Sequence, residues 1–170
     1  MRTMAAKLPE VIIASSCSKN FGLYRERTGS ITFITKTPEQ ATIVAAQAMS
    51  VARQLYSMPP AHGALLVSLI LGDEELCSDW KAELEEVRLR IKSMRTLLAD
   101  SIQDNAQGID FSHIKRQNGM FSFLGVKPEH LVRLREEFGI YIVSSTRINL
   151  AGINSSNINY LSESIQEVLK

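Results

Sequence analysis

A lysine, two serines and an arginine occur together in the segment 15–29 (SSCSKNFGLYRERTG). The apolar run VIIA directly before it predicts a buried strand, and strand ends are where an open α/β sheet presents residues to a ligand. In that position Lys19 carries an amine that can form an imine with a carbonyl compound. Ser16, Ser18 and Arg27 supply the hydroxyl and guanidinium donors that bind an anion such as phosphate. Seen alone, the lysine would be interpreted as a solvated surface charge.

Two further arginines and one phenylalanine have sequence contexts that suggest more than one role. Arg147 lies in the run 146–150 (TRINL), where a guanidinium is costly to bury unless it meets an anion, either a carboxylate of the chain or a ligand. Arg53 follows a mostly apolar helical stripe and, taken alone, is a solvated helix residue. Phe121, in the segment 119–121 (GMF), is most simply a core aromatic residue on a strand.

The elements that position Lys19 and Arg53 follow from local patterns. Segments rich in β-branched and aromatic residues predict strands over 11–15 and 30–35. A capping threonine followed by proline begins a helix at residue 37, and two prolines end it at or before Met58.

The rest of the chain is predicted to form an α/β arrangement around one very long helix. That helix has apolar residues at intervals of three and four, and its length suggests that it joins two domains, 1–86 and 87–170. The short elements after it suit a small layer of helices on one face of a sheet. The predicted elements are helices over 61–71, 73–105, 128–138 and from 155 or 156 to 169, and strands over 120–124, 140–143 and 147–150.

The composition argues against several classes of protein. The chain has 170 residues, 45% of them hydrophobic, and a net charge of +1, which gives no electrostatic basis for binding nucleic acid or an anionic membrane. No segment approaches the ~20 consecutive apolar residues of a membrane span. The cysteines and histidines show no disulfide or metal-ligand spacing (Cys17, Cys77, His62, His113 and His130). We therefore expect a cytoplasmic protein without a metal, nucleic acid or membrane partner.

The segment around Lys19 resembles the pyridoxal-phosphate lysine motif of the aspartate and aromatic amino-acid aminotransferases, Ser-x-Ser-Lys-x-Phe-x-Leu-Tyr-x-Glu-Arg-x-Gly, with every fixed position present. The resemblance continues, in the family's order, through 56–63 (YSMPPAHG), 117–123 (QNGMFSF), 134–139 (LREEFG) and 147–152 (RINLAG). The chain thus looks like the C-terminal portion of a class I aminotransferase. This resemblance implies the end of a large α/β cofactor domain, a long connecting helix and a small α/β domain.

The resemblance implies a cofactor site made by the first of these segments. Lys19 would bind pyridoxal 5'-phosphate covalently and, once freed, carry a proton at the substrate α-carbon. Arg27, Ser16 and Ser18 would hold the phosphate of the cofactor. Tyr24 would pack against this site and support it.

The resemblance also implies how a substrate is bound. Arg147 would bind the α-carboxylate, and Phe121 would lie beside the substrate. Arg53 would reach into the site of a partner subunit and pair with the side-chain carboxylate of aspartate or glutamate, which implies a homodimer. Met58 departs from the asparagine or serine common at that position. The implied reaction exchanges an amino group between an amino acid, aspartate or aromatic, and a 2-oxo acid, with aspartate and 2-oxoglutarate as the first choice.

Several parts of the family's site are expected before the start of this sequence. They include the acidic partner of the cofactor ring nitrogen and a glycine-rich phosphate turn. We therefore expect the chain alone to have little or no transaminase activity and to associate through exposed sheet edges and apolar surface.

Two alternatives to a transaminase remain. One is another pyridoxal-phosphate enzyme of the same fold, such as a lyase, and the other is a non-catalytic structural or interaction remnant. Arg53 together with Arg147 favours transamination over lyase chemistry, and Lys19 argues against a remnant.

Overall fold

The computed structural model describes residues 2–103 and 109–170. The chain forms two compact units, Met1–Lys81 and Ala82–Lys170. Both units contain helices and a two-stranded sheet, which confirms the predicted α/β class. The division falls inside the longest helix, whereas the sequence places a domain boundary between residues 86 and 87, and that boundary stays a prediction.

The first unit is built around an antiparallel pair of strands. Strand β1 pairs with β2 in a register that runs from Val11 opposite Ile34 to Ser16 opposite Gly29. Both strands are confirmed to within one residue of their predicted ends, but the expectation that the first of them is buried is wrong, since no residue of β1 is buried. The elements of this unit are α1 (Arg2–Lys7), β1 (Val11–Ser16), β2 (Gly29–Ile34), α2 (Pro38–Tyr56), α3 (His62–Gly72) and the beginning of α4 (Glu74–Gln103).

Helix α2 begins and ends where its sequence indicates. Thr37 is the N-cap, and its side-chain oxygen accepts a hydrogen bond from the backbone N–H of Gln40 at 3.3 Å. Pro38 takes the first helical position, where its missing N–H leaves no bond unmade. The helix ends at Tyr56, before the two prolines. Residue Arg53 is thereby placed in its last turn.

The first unit buries almost no apolar side chain within the described residues. The only residues there that are fully buried are Ser18 and Gly63. Large apolar residues on its strands and helices stay exposed, including Ile12 at 69% and Leu55 at 74%. A sheet of two strands with open faces is marginal by itself, because three or more strands or a covering layer are needed for independent stability.

The second unit contains the apolar core. The cluster includes Leu98 and Ile102 of α4, Leu134 of α6 and Ile165 of α7, all fully buried. The elements are the rest of α4, then α5 (Ser112–Arg116), β3 (Phe121–Phe123), α6 (Pro128–Phe138), β4 (Arg147–Asn149), a 3-10 turn (Leu150–Gly152) and α7 (Ile158–Val168). Strands β3 and β4 are antiparallel, with Ser122 opposite Ile148.

The strand predicted over residues 140–143 is wrong. Ile140 and Ile142 do pack against the core while Tyr141 and Val143 stay exposed, which reproduces the alternation of a strand. However, the segment has no strand partner within the described residues, because the second sheet consists of β3 and β4. Its backbone instead leaves α6 through a left-handed Gly139 with φ of 64°.

Three further helices differ from the prediction or extend to residues that the structure does not describe. Helix α7 begins at Ile158, because Asn154 first forms a turn in which its side chain accepts from the backbone N–H of Ser156 at 2.9 Å. The short helix α5 was not predicted. The predicted end of the long helix near Asn105 lies outside the described residues.

Candidate functional site

Three of the predicted site residues lie on one loop between β1 and β2, and a fourth is the last residue of β1. The backbone N–H of Cys17 donates to the carbonyl of Thr28 at 3.0 Å, which continues the strand ladder one residue beyond Ser16 and Gly29. This bond closes the loop 17–28, which we call the lysine loop. Lys19, Ser18 and Arg27 belong to it, and Ser16 lies at its entrance.

The two serine hydroxyls form a connected pair. The hydroxyl of Ser16 donates to the hydroxyl of Ser18 at 2.9 Å, and the backbone N–H of Ser18 donates to Ser16 Oγ at 3.2 Å. Ser18 is only 4% exposed, whereas Ser16 is open to solvent. The pair therefore has one buried member and one that faces outwards, and a serine hydroxyl can both donate and accept a hydrogen bond.

Tyr24 contacts two of the three cationic residues of the lysine loop. The ammonium nitrogen of Lys19 lies 5.8 Å from the centroid of the Tyr24 ring, within the range of a cation–π interaction. Arg27 Nη1 donates to the backbone carbonyl of Tyr24 at 3.0 Å. Both cations are otherwise exposed. The predicted supporting role of Tyr24 stays a prediction, and these contacts are consistent with it.

Arg27 forms no ion pair with its sequence neighbour Glu26. The carboxylate of Glu26 contacts His62 Nδ1 at 3.1 Å instead. Within residues 2–103 and 109–170, no carboxylate lies within 4 Å of the Arg27 guanidinium. The backbone of Arg27 is left-handed, with φ of 53°, a conformation that is uncommon for a residue with a side chain and that clusters at active sites and ligand-binding loops.

The end of the lysine loop is packed closely against helix α3. A Cβ added at Gly63 would lie 2.0 Å from Thr28 Oγ1 and 2.7 Å from Glu26 Cβ. Only glycine allows this approach. Helix α3 therefore contacts the residues on both sides of Arg27, at the position where that residue adopts its unusual backbone conformation.

Arg147 and Phe121 come together in the second unit. Phe121 is opposite Asn149 in the β3–β4 ladder, so Arg147 is its diagonal neighbour on the exposed face. The guanidinium carbon lies 4.9 Å from the centroid of the Phe121 ring. Arg147 is exposed, and no carboxylate of the described residues lies within 4 Å of it. Of the two possible partners, a carboxylate of the chain is therefore not found within the described residues.

A cavity of about 550 Å³ opens beside this pair. Phe121 and Arg147 line it together with Tyr141, Ile142 and Tyr160, so its wall is mainly apolar with one fixed cation. This combination suits a small molecule that has a carboxylate at one end and an apolar or aromatic part.

A buried arginine holds the strand that carries Phe121. Arg95, 4% exposed, donates to the carbonyls of Ile114, Gly119 and Phe121 at 2.8, 2.6 and 3.2 Å and to Ser122 Oγ at 3.2 Å. Burial lowers the pKa of this guanidinium. Sequence reasoning missed Arg95, although its position on the apolar stripe of α4, four residues after Ile91 and three before Leu98, was a usable signal.

Arg53 lies on helix α2, outside the lysine loop. It lies exposed in the last turn of α2, where its carbonyl accepts from the N–H of Ser57 at 2.9 Å. The neighbouring Met58 is 79% exposed. Within the described residues this arginine has no carboxylate partner within 4 Å.

Neither a metal site nor a membrane span is found in the part of the chain that the structure describes. No group of three or more histidine, cysteine or acidic side chains is arranged to hold a metal ion there. No described helix combines the length and apolarity needed to cross a bilayer. Cys17 and Cys77 are both free thiols.

The fold and the lysine loop together define a class of protein, and comparison with known proteins identifies it. The model of the family "Aminotransferase class I and II" matches residues 2–165. The chain belongs to this family, which confirms the resemblance seen in the sequence. The chain also has the fold of the pyridoxal-phosphate-dependent aspartate and aromatic aminotransferases, in part.

Individual relatives are similar over almost the whole chain. An aspartate aminotransferase of Haemophilus influenzae is 47% identical over 169 residues, which are 99% of this chain and 43% of the relative. An aromatic-amino-acid aminotransferase of Pseudomonas aeruginosa is 43% identical over 168 residues, 99% of this chain and 42% of the relative.

A solved structure is also similar over almost the whole chain. The crystal structure of an aromatic-amino-acid aminotransferase from Burkholderia pseudomallei, covalently bound to pyridoxal phosphate, superposes with a TM-score of 0.90 at 43% identity, over 98% of this chain and 41% of that one. The chain therefore spans less than half the length of the relatives it matches.

Proposed function

We propose that this chain is the lysine-bearing part of a pyridoxal-phosphate-dependent transaminase. The whole protein would exchange an amino group between aspartate, or an aromatic amino acid, and a 2-oxo acid. The observation that carries the proposal is the lysine loop, which places an amine, a buried hydroxyl and a guanidinium within one closed segment, with the hydroxyl of Ser16 at its entrance. Family membership and the names of the relatives support the same class of reaction.

The residues of the lysine loop fit the cofactor. Pyridoxal phosphate has an aldehyde and a phosphate monoester. Lys19 offers the exposed amine that an aldehyde needs. Arg27 has a guanidinium with donors left over after its one bond to Tyr24, and planar guanidinium groups match phosphate well. Ser16 and Ser18 add hydroxyl donors beside the same strand ends.

The roles of the chain's own groups follow from their chemistry. When bound, pyridoxal phosphate supplies an electron sink that stabilises negative charge at the substrate α-carbon. Lys19 Nζ, freed when substrate binds, takes the proton from that carbon and later returns a proton, which is general acid–base catalysis by one group. Arg27, Ser16 and Ser18 fix the phosphate and thereby the orientation of the reacting groups.

Arg147 is the proposed site for the substrate α-carboxylate. It faces solvent and the cavity, has no carboxylate of the described residues within 4 Å, and rests against Phe121. Its two-pronged guanidinium can bind both carboxylate oxygens at once. Phe121 would both orient this guanidinium and contact the apolar part of the substrate.

Arg53 is the proposed contact for a second carboxylate, which makes aspartate with 2-oxoglutarate the first substrate pair to test. Its exposure in the last turn of α2 is compatible with a role across a subunit interface. We accordingly propose a homodimer in which Arg53 serves the site of the partner. The free thiols of Cys17 and Cys77 are consistent with a reducing, cytoplasmic location.

The 170-residue chain alone is proposed to be nearly inactive and prone to associate. The first unit leaves Ile12, Ile31, Leu55 and Leu65 more than half exposed, and exposed apolar surface on that scale normally marks an interface. The chain also spans only 42% of the length of its Pseudomonas relative. A coupled transaminase assay that found turnover like that of a full-length relative would refute this part of the proposal.

Covalent labelling tests the cofactor site without requiring turnover. The amine of Lys19 joins the aldehyde of pyridoxal phosphate with loss of water, and borohydride then reduces the new C=N bond to a stable amine. Peptide mapping by mass spectrometry reports which lysine carries the label. We expect Lys19 to be labelled well ahead of the exposed Lys36, which serves as an internal reference.

Lys19→Arg is the matched control for this experiment, since it keeps the charge and removes the reactive amine. The label should disappear from the 15–29 peptide and remain at the reference lysine. Equal labelling of Lys19 and Lys36 in the unaltered chain would instead favour a non-catalytic remnant.

A further inference from the structure

The turn directly after Lys19 is held by a residue sixty positions away. Trp80, on the first part of α4, donates its indole N–H to the backbone carbonyl of Asn20 at 2.7 Å. Its ring also stacks on the ring of Phe21, with centroids 4.5 Å apart and planes inclined by 9°. One side chain thus makes a polar and an aromatic contact with the two residues that follow the reactive lysine.

Trp80 is not part of an apolar core. The buried cluster of the described residues begins at Leu98 and does not include it. Trp80 is half-buried in a unit that buries almost no apolar side chain. Its position on the apolar stripe of α4 indicates a packing residue, but the contacts it makes are with the lysine loop.

The lysine loop has few internal bonds near Lys19 that could replace this contact. The N–H of Phe21 bonds to the carbonyl of Cys17 at a long 3.3 Å, and Tyr24 bonds to the nearby Gly22. Gly22 itself has a left-handed backbone with φ of 68°, and a Cβ there would meet nothing within 4 Å. Without Trp80, the segment after Lys19 would be free to change conformation.

We propose that Trp80 is a positioning residue for Lys19. It fixes the carbonyl of Asn20 and the ring of Phe21, and so limits the directions in which the backbone of Lys19 can present its amine. This inference rests on the proposed function of Lys19 as the cofactor lysine. It predicts that the reactivity of one amine depends on an indole N–H that does not itself touch the reacting groups.

Two variants of the 170-residue chain separate the polar contact from the stacking. Trp80→Phe keeps an aromatic ring against Phe21 and removes the donor, and Trp80→Leu removes both. The matched control is Leu76→Ala, one turn earlier on the same helix, where the side chain is exposed.

Amide hydrogen exchange is the first measurement. Loss of one hydrogen bond to a backbone carbonyl should speed exchange at residues 20–24 about fivefold in Trp80→Phe, and more in Trp80→Leu. Exchange in α7 should stay unchanged, as should the 20–24 amides in Leu76→Ala. Unchanged exchange at 20–24 in both tryptophan variants would overturn the proposal.

Labelling by pyridoxal phosphate and borohydride is the second measurement. The ratio of label at Lys19 to label at Lys36 should fall about fivefold in Trp80→Phe, which general destabilisation would not produce at one lysine only. A ratio equal to that of the unaltered chain, together with faster exchange, would overturn the positioning role.

The outcome for Trp80 stays separate from the outcome for the proposed function. If the unaltered chain shows no preference for Lys19, the cofactor site is contradicted, and hydrogen exchange alone decides whether Trp80 holds the loop. Trp80 is also the only tryptophan of the chain, so its fluorescence should be quenched when Lys19 is labelled. The same labelling treatment should leave the fluorescence of Trp80 unquenched in Lys19→Arg.

Discussion

The guanidinium of Arg147 lies against the face of the Phe121 ring, with its central carbon 4.9 Å from the ring centroid. The two residues are diagonal neighbours across the β3–β4 ladder and share its exposed face. Diagonal pairs of this kind are within reach for an aromatic ring and a long side chain. The ring can therefore hold the guanidinium in place before any carboxylate arrives.

A double-mutant cycle measures this contact. We expect Phe121→Leu and Arg147→Gln to be coupled by about 0.5–1 kcal/mol in the free energy of unfolding, because an exposed cation–π pair contributes that much. Urea unfolding of the two single variants and the double variant provides the value. Phe123→Leu with Arg147→Gln is the matched cycle, and equal coupling in both cycles would contradict a specific contact with Phe121.

Among the arginines of the second unit, Arg95 should cause the largest loss in the free energy of unfolding when it is replaced. Arg95→Met leaves three carbonyls and the Ser122 hydroxyl without a buried charged donor, so unfolding should become easier by about 2–4 kcal/mol. Arg95→Lys should lie between this variant and the unaltered chain, since one ammonium cannot reach all four acceptors.

Arg88→Met is the control for Arg95 on the same helix. Arg88 is exposed and, among the residues that the structure describes, bonds only to Glu85, one turn away, and surface pairs of this kind contribute little. Urea unfolding that gave similar losses for the two methionine variants would show that Arg95 does not hold β3.

Gly63→Ala tests whether α3 supports the turn that carries Arg27. The new methyl group would lie 2.0 Å from Thr28 Oγ1, so either the helix or the turn must move. We expect faster amide exchange at residues 26–28 and weaker labelling of Lys19 by pyridoxal phosphate. Gly72→Ala is the control, because a Cβ there meets nothing within 4 Å. Adding Thr28→Ala should bring amide exchange at residues 26–28 part of the way back to that of the unaltered chain. Exchange that does not change on adding Thr28→Ala would argue against the clash.

Stability of the second unit should fall at acid pH through Asp110. The hydroxyl and backbone N–H of Ser112 donate to this carboxylate at 2.8 and 2.7 Å and lower its pKa from the ordinary value of 3.8. A carboxyl with a lowered pKa stabilises the fold above its unfolded pKa, and the contribution is lost as pH falls from about 4 through the lower folded pKa.

Urea unfolding at pH 5 and pH 3 checks the effect of Asp110. The unaltered chain should lose more stability than Asp110→Asn over this interval, and Ser112→Ala should fall between them. An equal loss in the unaltered chain and Asp110→Asn would show that this carboxyl does not contribute.

Much of the fold follows from local sequence signals, and the exceptions have physical causes. Strand β1, helix α2 and helix α6 lie where β-branched composition, capping and proline place them. The segment 140–143 has the alternation of a strand but no partner strand in the part of the chain that the structure describes, and pairing is not a local property. Helix α5 is too short for a periodic pattern to identify it.

The site residues also divide into those that a local pattern identifies and those that it does not. Motif resemblance singled out Lys19 and Arg27, because the family's spacing is preserved around them. The contacts of Trp80 and Arg95 could not be predicted in the same way, since they join residues 60 and between 19 and 27 positions apart. Such contacts depend on how helices pack, which no local pattern specifies.

The most direct test of the account compares labelling of Lys19 by pyridoxal phosphate and by pyridoxal, which lacks the phosphate, in the unaltered chain and in Arg27→Met. If Lys19 and Arg27 form one cofactor site, the preference for the phosphorylated aldehyde should fall about tenfold in Arg27→Met, because a charged hydrogen bond to the phosphate is lost. Labelling of Lys36 should stay unchanged. An equal preference in both proteins would contradict the cofactor site.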